Sequence, residues 1–162
     1  MAGLLTKLKS KVLGPTLLAA GSPAPGFRLP SHDGRTIDLA DLKGRKVLLW
    51  FYPKADTPGC TIEGKGLCGV HAEFERRGVV VLGASFDTPR DNRAFAEKFG
   101  FPFALLCDTD RSLGLAYGAC DSADAGFPRR ISYLIDEQGI VAHVFPKVDP
   151  ATHAAEVLAL VG

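Results

Sequence analysis

Residues Val47-Leu48-Leu49-Trp50-Phe51-Tyr52 form an uninterrupted apolar run, rich in branched and aromatic side chains and closed by Pro53. A run this short, ended by a turn residue, predicts a buried strand at the centre of a sheet. The next residues predict a helix. Thr57 stands where an N-cap would, and Pro58 suits the first helical position. Cys60 therefore falls in the first turn of that helix, at the carboxyl end of the central strand. Unpaired backbone N–H groups and the positive end of the helix dipole converge there. Both favour thiolate over thiol, and thiolate is the reactive form. A cysteine that merely fills a core would sit in inert, apolar surroundings, and the polar neighbours of Cys60 argue against that reading.

The rest of the chain arranges itself around this unit. Phe27 to Pro30 and Thr36 to Leu39 read as a hairpin about Asp33-Gly34. Asp41 to Gly44 form a turn into the central strand, and the Cys60 helix is expected to run to a C-cap at Arg77-Gly78. Val79 to Ser85 give a second buried strand. Thr88-Pro89 open another helix, which turns Phe95 and Phe99 inward and closes at Gly100. Phe103 to Cys107 read as a third strand, Ser112 to Tyr117 as a short helix, and the stretch to Pro128 as an irregular loop. Ile131 to Ile135 and Ile140 to Phe145 form a closing hairpin. Asp149-Pro150 are expected to cap a last helix that buries Val157, Leu158 and Val161. Strands alternating with helices and then a hairpin predict an α/β sandwich with a mixed central sheet flanked by helices.

Residues 1–20 stand apart as an extension to a single domain at 21–162. Leu4, Leu8 and Val12 repeat on one helical face, Lys7, Lys9 and Lys11 cluster beside them, and Gly14-Pro15 would end the helix. A signal peptide is the competing reading, but Gly14 and Pro15 interrupt its apolar run. A cytoplasmic protein with an amphipathic N-terminal helix is the expectation, with no span long enough for a membrane. The 162 residues suit one core. A net charge of +1 with no basic block argues against nucleic acid as a partner. Four cysteines without dense spacing do not make a disulfide scaffold; they fit a reducing compartment with one or two working thiols.

The spacing Pro53-x-x-x-Thr57-x-x-Cys60 resembles the active-site motif of the peroxiredoxins. The string from Phe51 to Thr61, the opening Gly21-Ser22-Pro23-Ala24-Pro25-Gly26-Phe27 and the later Pro128-Arg129-Arg130-Ile131-Ser132-Tyr133 are similar to their bacterioferritin-comigratory, or Q-type, subfamily. The resemblance implies a thioredoxin-like fold with an N-terminal hairpin and a thiol-dependent peroxidase. Hydrogen peroxide and organic hydroperoxides would be its substrates, and a thioredoxin or similar dithiol its reductant. No cofactor and no metal are implied, and the chain is expected to be a monomer or weak homodimer. Cys60 would be the nucleophile. The Thr57 hydroxyl would hydrogen-bond the peroxide, and backbone N–H groups around Gly59 and Cys60 would hold the developing oxyanion. Pro53, apolar and without an N–H, would wall the pocket against water. By register against Ile131-Ser132-Tyr133, Arg130 takes the place of the family's activating cation, with Arg129 directed to the opposite side of an extended chain.

Oxidation would leave a sulfenic acid on Cys60 that a second thiol must resolve. Many Q-type members carry that cysteine five residues on, where this chain has Lys65. Cys68, Cys107 and Cys120 remain. Cys107 reads as core, Cys120 lies in the loop before Arg130, and Cys68 is preferred. A metal site of Cys60, Cys68 and His71 is disfavoured, because the two sulfurs' residues are about 12 Å apart along a helix. A thiol–disulfide oxidoreductase normally needs Cys-x-x-Cys, and Glu63 stands in the second position. A non-catalytic binding protein on the same fold would have no use for the set Thr57, Cys60 and Arg130.

Overall fold

A computed structural model describes residues 17–162. The first hairpin is β1 (Arg28–Pro30) and β2 (Thr36–Asp38), paired antiparallel. A 3-10 turn at Leu39–Leu42 leads into β3 (Lys46–Phe51). Then come α1 (Pro58–Gly69), α2 (His71–Arg76), β4 (Val79–Ser85), α3 (Pro89–Phe99) and β5 (Ala104–Cys107). The chain closes with α4 (Ser112–Ala116), β6 (Ser132–Ile135), β7 (Val141–Phe145) and α5 (His153–Leu160). The main sheet has the order β5-β4-β3-β6-β7, with β3 in the middle, parallel to β4 and antiparallel to β6. It is the mixed α/β sandwich that the pattern predicts.

Alternation along β3 divides the core. Leu48 and Trp50, with Tyr52 just beyond the strand, face a cluster built with Leu67, Phe74, Phe95 and Val157, under α1, α2, α3 and α5. Val47, Leu49 and Phe51 face the opposite cluster with Leu39, Leu113 and Tyr133, covered by the hairpin and α4. Each fully buried side chain of this size contributes about 1.5–3 kcal/mol, so β3 is the best-anchored strand and a rigid base for the turn and helix beyond it.

Two boundaries differ from the pattern by more than one residue. The helix expected to run from Pro58 to Arg77 breaks at Val70, whose φ of −115° and ψ of 12° leave the helical well. Gly64, Gly66 and Gly69 weaken the segment leading to that point, and Val70 turns into the core cluster instead. The last helix starts at His153 rather than at Pro150. The Asp149 carboxylate accepts from the Ala151 N–H at 3.0 Å, so it closes a turn instead of capping a helix. The amphipathic helix expected around Leu4, Leu8 and Val12 lies outside the described residues. Leu17 and Leu18 are described, and they pack against the second cluster, with the Leu18 N–H donating to the Tyr133 hydroxyl at 3.2 Å. Among the described residues no helix is long and apolar enough to cross a membrane.

Candidate active site

Beyond β3 the chain makes a sharp turn before α1. Asp56 takes the left-handed conformation, φ 58°, which an aspartate tolerates better than most residues. Lys98 holds its carboxylate at 3.0 Å, and the Asp87 carboxylate accepts the Ala55 N–H at 2.9 Å. Pro53 stands half-buried at the start of this turn. Thr57 occupies the N-cap position in extended conformation, with Pro58 opening the helix, but its side chain caps nothing. The Thr57 hydroxyl instead donates to the Lys54 carbonyl at 2.7 Å, which leaves its oxygen lone pairs free to accept a further hydrogen bond.

Cys60 is fully buried in the first turn of α1. Nη2 of Arg130 donates to its sulfur at 3.5 Å. The segment carrying that arginine is pinned to the end of β3, because the Phe51 N–H donates to the Ile131 carbonyl at 2.8 Å. Arg129 turns elsewhere and pairs with Asp121 at 2.6 Å. Gly59 makes the approach feasible: a Cβ there would stand 2.8 Å from Nη2 of Arg130.

The second hand of Arg130 grips a residue that the sequence pattern does not place in the site. Nη1 donates to Oε1 of Glu63 at 2.8 Å, and the Glu63 side chain is fully buried. Burial raises the Glu63 pKa to about 7, against the opposing pull of the Arg130 hydrogen bond and charge. Burial also pulls the Arg130 pKa down, but Glu63 and Cys60 outweigh it and hold it above the usual value. A glutamate three residues after Cys60 shares its helical face; that spacing was the available signal.

The other cysteines lie apart. Cys68, at the far end of α1, is half-buried with its sulfur 3.8 Å from the Gly100 carbonyl. Cys107 is buried against the Asn92 side-chain amide at 3.4 Å, and Cys120 is buried beside Gly114. Burial pushes both of these thiols up in pKa. Close to the site, a Cβ on Gly64 would collide with the Phe101 ring, whereas one on Gly66 would make ordinary contact with Ala154 at 3.6 Å. Gly64 is thus a packing requirement and Gly66 is not.

Two buried groups near α1 set an opposed pH dependence. His153 of α5 is fully buried, its Nε2 2.9 Å from the Ser132 hydroxyl. Burial holds its pKa at about 4, below the ordinary 6.5, against a smaller upward pull from Glu156. Between those values the unfolded chain binds more protons, so stability falls as pH drops. Glu63 works the other way: folding raises its pKa from 4.5 to about 7, and stability falls as pH rises through that window. Each effect is on the order of 3 kcal/mol when complete, and the two largely offset. Urea melts between pH 4.5 and 7 are expected to show stability rising with pH in Glu63→Gln relative to wild type, and falling with pH in His153→Gln. Parallel curves for all three proteins would contradict these assignments.

Both the sequence of this chain and its fold have counterparts among known proteins. Residues 20–144 match the model of the AhpC/TSA family. The chain is similar to a putative Bcp peroxiredoxin of Coxiella burnetii, 41% identical over 146 residues that cover 87% of this chain and 97% of the relative. Its fold is similar to the crystal structure of the peroxidoxin BcpB from Mycobacterium tuberculosis, with a TM-score of 0.82, 28% identity and coverage of 89% and 96%. It is also similar to the Xanthomonas campestris bacterioferritin comigratory protein, studied for its alkyl peroxide reduction activity, with a TM-score of 0.79, 30% identity and coverage of 91% and 96%. Motif, thioredoxin-like sheet and relatives agree that the chain belongs to the AhpC/TSA family and, within it, to the Bcp and Q-type peroxiredoxins, the thiol-dependent peroxidases.

Proposed function

We propose that Cys60 is the thiol that attacks peroxide, with Thr57, Arg130 and Pro53 completing its pocket. The observation that carries this reading is the 3.5 Å contact between the Arg130 guanidinium and the buried Cys60 sulfur at the start of α1. In this mechanism the thiolate attacks one peroxide oxygen, the S–O bond forms as the O–O bond breaks, and the leaving oxygen takes up a proton. Arg130 and the first backbone N–H groups of α1 stabilise the charge that moves from sulfur to the leaving oxygen. The Thr57 hydroxyl, its proton committed to Lys54, accepts from the peroxide O–H. Pro53 offers no donor and keeps water from competing. Stopped-flow mixing of reduced protein with one equivalent of hydroperoxide, followed by mass spectrometry, tests this: one added oxygen or a new disulfide must map to Cys60.

The reductant in this reading is a thioredoxin-type dithiol and the compartment is the reducing cytoplasm, which four free thiols suit. The substrates are hydrogen peroxide and small organic hydroperoxides, and the working unit is a monomer or weak homodimer.

Cys68 is the proposed resolving thiol. Its Cα must come within about 4.4–6.8 Å of that of Cys60 for a disulfide, so α1 has to unwind between them. Gly66 is the place to test this, since alanine fits there without a clash. Gly66→Ala is expected to stabilise α1 by about 1 kcal/mol, and so to slow Cys60–Cys68 disulfide formation about 5-fold with no change in the initial reaction with peroxide. A tryptic map of the oxidised protein reads the outcome, and a Cys60–Cys120 linkage would overturn the assignment.

A further inference from the structure

Two acids of the site, Cys60 and Glu63, share one cation, Arg130. Arg130 donates to Cys60 through Nη2 and to Glu63 through Nη1, and both acids are buried. If thiolate and carboxylate were present together, the buried site would carry a net negative charge, and like charges sharing one cation oppose each other's ionisation. The hydrogen bonds say which acid yields. Oε1 of Glu63 is satisfied by Arg130, but Oε2 is buried with no hydrogen-bond partner among the described residues. A carboxylate leaves charge on that uncompensated oxygen, whereas a carboxylic acid does not.

We propose that Glu63 holds the proton Cys60 gives up, so that thiolate and carboxylic acid form together around Arg130, and that this proton goes to the oxygen that leaves when peroxide is cleaved. The step balances as Cys60 thiolate, hydroperoxide and Glu63 carboxylic acid giving Cys60 sulfenic acid, alcohol and Glu63 carboxylate. The S–O bond forms, the O–O bond breaks, sulfur loses two electrons and the peroxide gains them. Reduction of the oxidised cysteine later returns a thiol, whose proton passes to Glu63 again. The inference rests on Cys60 being the thiol that attacks peroxide.

The surroundings leave few competitors for this proton. Arg130 bonds Glu63 from the segment before β6, and Cys60, on the same helix as Glu63, takes the other N–H of that guanidinium. Of the helices packed on α1, α5 presents His153, which burial keeps neutral and which pairs with Ser132. Just beyond β3, Tyr52 is buried with its hydroxyl bonded to Asn92, and burial holds it protonated. Phe101, against Gly64, carries no charge. Burial, which raises the Glu63 pKa to about 7, fits a group that takes up and releases its proton around neutral pH.

Infrared difference spectroscopy on reduced protein before and after one equivalent of hydrogen peroxide tests the proposal. At neutral pH the wild type is expected to show a protonated-carboxyl band that disappears on oxidation and is missing in Glu63→Gln. In Cys60→Ser, which has no thiolate, the band should titrate away at lower pH than in wild type. The rate constant with peroxide should fall about 10-fold per pH unit once Glu63 ionises, and Glu63→Gln should lose that alkaline limb. A wild type with no such band, or a Glu63→Gln rate profile that keeps the limb, overturns the proposal. If Cys60→Ser still turns over peroxide, the underlying assignment of Cys60 has failed instead.

Discussion

The Cys60→Ser protein is expected to fold as the wild type does and to consume no peroxide above background. Serine is close to cysteine in size, and Arg130 can donate to either atom, so packing around this fully buried position changes little. The chemistry does change, because an alcohol stays protonated where a thiol ionises, and only the ionised sulfur is a competent nucleophile. No other cysteine can take over. Burial raises the pKa of both Cys107 and Cys120, and Cys68 lies two helical turns away, against the Gly100 carbonyl. Circular dichroism and a peroxide-consumption assay on one preparation check this. Normal turnover in a folded Cys60→Ser protein would show that another group carries the reaction.

Arg130→Met is expected to lower the rate constant with hydrogen peroxide by about 10²–10³-fold, the usual cost of removing one preorganised donor from a developing oxyanion. Arg129→Met is expected to stay near the wild-type rate, since Arg129 pairs with the exposed Asp121. The Arg130 variant carries a second consequence. It leaves Glu63 in the interior without a cation, and once Glu63 ionises, breaking one side of a buried pair typically costs about 3–5 kcal/mol. The double variant Arg130→Met with Glu63→Gln removes that burden. It should recover stability in a urea melt at alkaline pH while remaining slow, which separates the loss of catalysis from the loss of fold. If Arg129→Met were the slow protein, the register drawn between Arg130 and Ile131 would be off by one.

The strand–turn–helix unit was legible because its signals are local. Six apolar residues in a row, a proline that ends them, and Thr57-Pro58 ahead of Cys60 each act on near neighbours in the chain. The same holds for both hairpins and for the α3 boundaries, where Thr88 accepts the Asp91 N–H and Gly100 takes the left-handed conformation. Family resemblance added Arg130 to the site, a residue that no local pattern distinguishes from Arg129.

Tertiary structure decided the rest. Glu63 reads as an ordinary polar helix residue until packing buries it and brings up an arginine 67 positions away. Gly59 and Gly64 read as helix-weakening glycines until Arg130 and Phe101 claim the space that a side chain would fill. The break at Val70 comes from a competition between continuing a helix and burying a valine, and only the assembled core settles which is lower in free energy. Periodicity, caps and turns are written in the chain because they act over a few residues. The burial of a charge, its pKa and the close approach of two distant segments are set by the three-dimensional surroundings, which no short stretch of sequence contains.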